Sequence, residues 1–357
     1  MKRTAFIISA VIAAAGLFVS FKSSAQTAKP SPTPMPAMTP AKPTPSPSPT
    51  PEEVIRIDTE LVNLDVRVVD RNNRPINTLQ EKDFKVLEDG VVQQIDFFSK
   101  SEVPTNYGLV VDNSGSLRQQ LDKVIDAGKV FVNSNRPDDE TMIIRFVGKE
   151  KIEIEQPFTQ NKVDLNDALD NLFIEGGATA IRDAVYLAVE NISEYERGKS
   201  FEDKKRRALI LVTDGEDRNS YYTEKMLFDL LRESEVQIYV IGFVDELSKQ
   251  GGFISKSDHE KAKDFLERLA SETGGKAYFP KSAADLPNLA REISSELRTQ
   301  YSIGYIPSND RKDGTYRAIK VSVADGPNAQ KRIAVTRAGR KAEGGGTAAT
   351  PSPTPKQ

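Results

Sequence analysis

The chain of 357 residues contains no cysteine. That excludes a disulfide framework, a thiol nucleophile and a thiolate metal site. Histidine is almost missing as well. His259 is the only one, set in the polar stretch Ser255-Lys256-Ser257-Asp258-His259-Glu260-Lys261. A Ser-His-Asp hydrolase would have to use it; its polar surroundings predict an exposed, uninvolved side chain. There is no G-x-S-x-G elbow, no phosphate-binding P-loop and no G-x-G-x-x-G fingerprint. An excess of positive charge is also absent. Lys and Arg number 49 against 52 Asp and Glu, for a net charge of -3, and no extended basic stripe appears, so a nucleic-acid partner is not expected. Lys204-Lys205-Arg206-Arg207 is a short basic run that reads as a solvated loop before a strand.

What is present begins with Lys2 and Arg3, followed by an apolar run from Ala5 to Val19 and the small residues Ser23-Ser24-Ala25. This is the layout of an export leader. The run is slightly short for a spanning helix of about 20 residues, which favours cleavage after Ala25 over a retained anchor. Residues 26–52 are rich in Pro, Ser and Thr, with ten of the 21 prolines between Pro30 and Pro51. Such a stretch favours extended polyproline II conformations and serves as a linker.

Three structured regions follow. Over 53–103, Ile55 and Ile57, then Val62, Leu64, Val66 and Val68, alternate with polar neighbours, and Phe84 to Ile95 reads as a hairpin turning at Asp89-Gly90. Over 104–300, strands at 107–112, 141–147, 151–155, 208–213, 236–243 and 277–280 alternate with helices at 117–134, 162–173, 181–195, 223–233, 259–273 and 285–299. Apolar runs such as Ala208 to Val212 suit strands covered on both faces, so a doubly wound, mostly parallel α/β domain is expected. Over 301–338 the β pattern returns, with strands at Tyr301–Ile306, Tyr316–Val323 and Arg332–Val335 and a turn at Asp313-Gly314. Each flank is short for a sheet of its own. The two are expected to combine into one sandwich with the α/β domain inserted. Residues 339–357 read as a disordered tail.

The chemistry concentrates at Asp112-Asn113-Ser114-Gly115-Ser116, just after the apolar run Gly108 to Val111. A carboxylate at a strand end and two hydroxyls at alternate positions put three hard oxygens on one loop, which suits Mg²⁺ or a similar ion. Gly176-Gly177-Ala178-Thr179 offers a further hydroxyl. Ala208 to Val212, running on through Thr213-Asp214-Gly215, offers a carboxylate at another strand end. Open α/β sheets bind ligands at the C-terminal edge, where these segments would meet. A phosphoaspartyl nucleophile at Asp112 usually needs a second carboxylate two residues on, where this chain has Ser114.

With those segments in order, the chain resembles the von Willebrand factor A (VWFA) domain family. The pattern D-x-S-x-S…T…D is that family's metal-ion-dependent adhesion site, or MIDAS. Asp112, Ser114, Ser116, Thr179 and Asp214 match it residue by residue. The resemblance implies that the two serine hydroxyls bind a divalent cation directly, and that the threonine and the aspartates bind directly or through water. The resemblance further implies that the ion is Mg²⁺, or Mn²⁺ or Ca²⁺ in its place, and that its open position takes an Asp or Glu carboxylate from a protein partner.

The flanking segments Leu61 to Val68, Asp83-Phe84, Glu88-Asp89-Gly90, Thr273-Gly274-Gly275, Leu297 to Tyr301 and Gly304-Tyr305 look like those of exported bacterial VWFA-related proteins common in acidobacteria, over roughly 54–337. This implies a periplasmic, cell-surface or secreted protein, touching a membrane only through an N-terminal anchor if the leader is retained. The expected function is metal-dependent protein binding or adhesion, not enzymatic catalysis. The alternative is an extracytoplasmic scaffold or assembly protein whose metal mainly stabilises the fold.

Overall fold

The structure, a computed structural model, describes residues 61–100, 102–195, 205–244 and 256–342. The leader, the Pro-rich linker, Ile55 and Ile57, and the tail beyond 342 lie outside the described residues. Among the described residues no helix is long and apolar enough to cross a membrane.

The α/β part is built on β5 (Thr105–Asp112), β6 (Glu140–Phe146), β7 (Ile152–Thr159), β8 (Arg206–Thr213), β9 (Gln237–Gly242) and β10 (Ala277–Tyr278). They form a six-stranded sheet in the order β10-β9-β8-β5-β6-β7. All neighbours are parallel except β7, which runs antiparallel at the edge. The helices are α1 (Leu121–Ser134), α2 (Lys162–Asp170), α3 (Ile181–Tyr195), α4 (Glu224–Glu233), α5 (Lys256–Glu272) and α6 (Leu286–Arg298). Strand residues alternate between the two helical layers. Leu109, Val111, Ile210 and Val212 pack with α1, α2 and α6. Val110, Leu209 and Leu211 pack with α3, α4 and α5. Both faces are covered at the central strands, which are largely apolar, while the edge strand β7 is only partly buried. Each fully buried Val, Leu or Ile contributes roughly 1.5–3 kcal/mol relative to exposure.

The first helix starts later than its apolar pattern suggests. Gly115–Leu117 forms a 3₁₀ turn and the α-helix opens only at Leu121. Leu117 is nevertheless buried in the same core, so its place in the periodic pattern reflects packing rather than helix.

The flanks supply two four-stranded antiparallel sheets. Before the α/β part come β1 (Val62–Val69), β2 (Phe84–Glu88), β3 (Val91–Gln93) and β4 (Phe97–Ser99). After it come β11 (Tyr301–Tyr305), β12 (Tyr316–Val323), β13 (Ile333–Val335) and β14 (Gly339–Lys341). One sheet has the order β13-β1-β11-β4 and the other β14-β12-β2-β3, so each combines strands from both flanks. Val62, Leu64, Val66, Phe84, Val86, Tyr301, Ile303 and Val321 share one core between them. The β2–β3 hairpin turns at Asp89-Gly90, where φ is 49° and 80°, the two-residue type I′ geometry that Gly accommodates without strain. Strand β14 is a correction to the tail expected from 339. Arg340 is drawn into the interior by Glu88, with Nε donating to Oε2 at 2.9 Å, and this carries the ordered chain past that boundary.

The basic run is also not a solvated loop, since Arg206 and Arg207 are the first residues of β8 itself. Arg206 is buried, and its guanidinium donates to Asp65 Oδ1 at 2.8 Å, to the Leu297 carbonyl at 2.5 Å and to Ser302 Oγ at 3.2 Å. It ties β1, the last turn of α6 and β11 to the start of β8. A cation at a helix C-terminus also opposes the negative end of the helix dipole. Arg67 and Glu296 form a second buried pair nearby at 3.0 Å.

β1 and β4 bond only to strands beyond position 300, which leaves the first flank just its β2–β3 hairpin when isolated. A fragment of residues 104–300 is therefore expected to fold alone, and one of 53–100 is not. Thermal melts followed by circular dichroism check this. A cooperative transition in the 53–100 fragment would show that the flank is self-sufficient.

Candidate metal centre

The strand order places the centre. From β5 the chain winds outward to β6, and it later returns to β8 on the other side of β5. The loops after β5 and β8 therefore leave the same sheet edge in opposite directions and open a crevice between them.

Asp112 ends β5, fully buried. Its Oδ1 accepts from the Ser114 amide at 2.9 Å, and its Oδ2 accepts from Thr213 Oγ at 2.7 Å. The Asn113 amide continues the ladder to the Phe146 carbonyl at 2.9 Å, and its side-chain amide holds the Phe173 carbonyl at 2.6 Å. Ser114 and Ser116 bring their hydroxyls to 2.8 Å from each other. Asp214, which follows β8, is also buried. Its Oδ1 accepts from the Glu216 amide at 3.0 Å, while its Oδ2 is buried and has no hydrogen-bond partner. Gly215 has φ of 90°, and a Cβ there would meet Leu266 and Val244 at 3.1 Å, so this sharp turn behind Asp214 favours glycine.

Thr179 lies on the neighbouring loop. Its carbonyl accepts from the Arg218 and Asn219 amides at 2.8 and 3.2 Å, which clips it to the loop carrying Asp214. Asp217 strengthens the clip by accepting from the Arg182 amide at 2.9 Å and pairing with the Arg182 guanidinium at 3.2 Å. The Asp183 carboxylate accepts from the Tyr221 and Tyr222 amides, both at 2.8 Å. Tyr222 stacks on Tyr186 with centroids 3.7 Å apart, and Tyr221 is left largely exposed.

The electrostatics of the centre are unbalanced. Burial pushes the Asp112 carboxyl up to about 7, and the charge of Asp214 adds to the shift. Among the described residues no lysine or arginine forms an ion pair with either carboxylate. No three carboxylate or imidazole groups converge as a cage among them either; the oxygens at hand here are two carboxylates and several hydroxyls. Two buried like charges and one unpartnered carboxylate oxygen suit a hard cation. Thr213 is the participant that sequence reasoning missed. Its signal was a hydroxyl on the last residue of the strand that pairs with β5. His259 sits half-buried on the first turn of α5 rather than fully exposed.

The sequence pattern of the von Willebrand factor type A domain matches residues 108–292. The chain belongs to the von Willebrand factor A family. Among curated proteins, this VWFA chain is 25% identical over 197 residues to an uncharacterized protein of Synechocystis, covering 55% of this chain and 42% of that one. It is 23% identical over 221 residues to inter alpha-trypsin inhibitor heavy chain 4 of Mus musculus, covering 58% and 22%. The chain thus spans less than half the length of these curated relatives. Among solved structures, the von Willebrand factor type A protein from Catenulispora acidiphila is 13% identical with a TM-score of 0.43, covering 79% of this chain and 75% of that one. Proximal thread matrix protein 1 from the mussel byssus, with a zinc-occupied MIDAS motif, is 19% identical with a TM-score of 0.44, covering 55% and 48%. The domain pattern over 108–292 carries the family and not the narrower acidobacterial likeness.

Proposed function

We propose that this VWFA domain is a metal-ion-dependent protein-binding module. The observation that carries the reading is the pair of buried carboxylates, Asp112 and Asp214, with an oxygen of Asp214 left unpartnered. Asp112, Ser114, Ser116, Thr179 and Asp214 would hold a divalent cation such as Mg²⁺, or Mn²⁺ or Ca²⁺. When bound, the ion supplies a Lewis-acidic position for an Asp or Glu carboxylate of a partner protein. The chain's own residues do the rest. Thr213 and the Ser114 amide orient the Asp112 carboxylate, and Gly215 sets the turn that keeps Asp214 in the crevice. Mg²⁺ keeps several waters and takes few protein ligands, so the bare ion should bind modestly and a partner carboxylate should add to the hold. The leader-like N-terminus supports action outside the cytoplasm.

In the second reading, an extracytoplasmic scaffold, the metal would mainly stabilise the fold. Capture of partners from periplasmic or extracellular extract, with Mg²⁺ or with EDTA, separates the two. Partners should be retained with Mg²⁺ and lost with EDTA, while the circular dichroism spectrum stays the same. Retention in both buffers would count against metal-dependent binding, and unfolding by EDTA would favour the scaffold.

A further inference from the structure

A cavity of about 330 Å³ lies where the sandwich meets the starts of β8 and β9, at the sheet edge opposite the proposed metal centre. It is within the size range of small-molecule sites and at a junction between structural units, where such sites are common. Four cations line it, Lys205, Arg206, Arg207 and Arg337, with Asp65 and Glu235 among them, and Lys205 is answered from outside the cavity by Glu140 at 2.9 Å. Asp65 is taken by Arg206. Glu235 pairs closely with Arg207 and stands 3.8 Å from Arg337. Arg337 is therefore the under-compensated cation. One of its terminal nitrogens donates to the Asn63 carbonyl at 2.9 Å, but its Nε is buried without a partner. Gln237 lines the same cavity at 4% exposure, and its Oε1 is buried and unpartnered. Leu64, Leu231 and Val236 supply apolar wall.

An unmet donor on a cation, an unmet acceptor and an apolar wall define a complementary molecule. Buried polar groups without partners are costly, and one ligand could satisfy both here. We propose that this cavity binds a small acid bearing a carboxylate, an adjacent N–H and a short apolar body. That is the chemistry of an N-acyl amino acid or of a peptide's C-terminal residue. Arg337 Nε and Gln237 Oε1 are both covered, so the two side chains turn toward the cavity on binding. The carboxylate then accepts from Arg337 Nε, the N–H donates to Gln237 Oε1, and the apolar body lies against Leu231 and Val236. The site uses none of the metal-centre residues and stands independently of the proposed metal chemistry.

The test is calorimetric titration of the full chain in EDTA with N-acetyl-leucine, N-acetyl-leucinamide and a tetrapeptide ending in leucine with a free carboxylate. Saturable binding is expected for a free carboxylate, and binding about tenfold or more weaker for the amide, since a charge-assisted hydrogen bond is lost. Binding by the tetrapeptide and not the free acid, or the reverse, upholds the chemistry and assigns its source. Arg337→Met should lower affinity by about tenfold or more. Gln237→Glu, which sets a carboxylate against the ligand's own, should abolish binding without enlarging the cavity. No saturable binding by either acid would overturn the proposal. So would equal binding of acid and amide, or unchanged affinity in both variants.

Discussion

Replacing Asp112 with alanine should abolish the heat of Mg²⁺ and Mn²⁺ binding, and partner binding with it. The carboxylate is buried, two donors fix it in place, and its neighbour at the site is another carboxylate. Removing it deletes a full charge where the dielectric is low. The metal-free fold should tolerate the loss, because the change also relieves repulsion with Asp214. Asp112→Asn sharpens the test: the Ser114 amide still finds Oδ1, and the Thr213 hydroxyl can rotate to accept from the new amide. Thr179→Ala removes only a neutral hydroxyl and should weaken partner binding more than it disturbs the fold. Asp214→Ala should leave β8 in place while loosening the ion. Equal calorimetric affinity in wild type and Asp112→Ala would place the ion elsewhere.

The same carboxyl gives the metal-free protein a pH dependence of defined sign. Its folded pKa of about 7 lies above the ordinary aspartate value. The stability it contributes is therefore complete below that ordinary value, near 4, and is lost as pH rises through about 7. A cation must displace the proton, so Mg²⁺ affinity should increase by up to roughly tenfold per pH unit below that point. Melting temperatures with and without Mg²⁺ should accordingly diverge as pH rises. A metal-free melting temperature that climbs between about pH 5 and 8 would contradict the assignment.

Glu88→Ala should produce the largest loss of stability, about 3–5 kcal/mol. Glu88 and Arg340 are paired with side chains 2% and 6% exposed, and Tyr305 donates its hydroxyl to the same Glu88 oxygen at 2.6 Å. Removing the carboxylate leaves a buried guanidinium and a buried phenol unanswered. The double replacement Glu88→Leu with Arg340→Met should recover most of the loss, since desolvation of a buried pair often offsets its attraction. Urea denaturation measures both. A single-variant cost below about 1 kcal/mol would show that water reaches Arg340 and answers its charge.

The α/β elements were legible in the sequence because burial on both faces imposes continuous apolar runs such as Leu209 to Val212, and one-sided helices impose a period near four. The flank pairing was less legible. Asp313-Gly314 does turn, with Gly314 at φ of 70°, but β11 and β12 enter different sheets. An alternating strand fits either sheet, and only distant partners decide which. The three-residue strands β4 and β14 carry too little pattern to stand out. In the proposed centre, Asp112, Ser114, Ser116, Thr179 and Asp214 could be named from their match to the family pattern. Thr213 could not, because a threonine within a β-branched strand reads as ordinary strand composition. Arg206 was hidden for a similar reason: a basic run looks solvated until its carboxylate and carbonyl partners arrive from far along the chain.

The interleaving of the flanks also orders events during synthesis. Val62 pairs with Tyr305 and Phe84 with Val323, so β1 emerges long before its partners exist. Only the β2–β3 hairpin can form on emergence. Closing so long a loop in an unfolded chain is entropically unfavourable and slow. Once the α/β part has folded, its ends at Thr105 and Arg298 stand against the same sandwich, and most of that closure is already accomplished. Until then Val62, Leu64 and Val66 form an unpaired apolar edge, the kind of surface that aggregates. The nascent chain therefore has a defined interval of vulnerability, which opens when β1 is made and shuts only after β11 arrives.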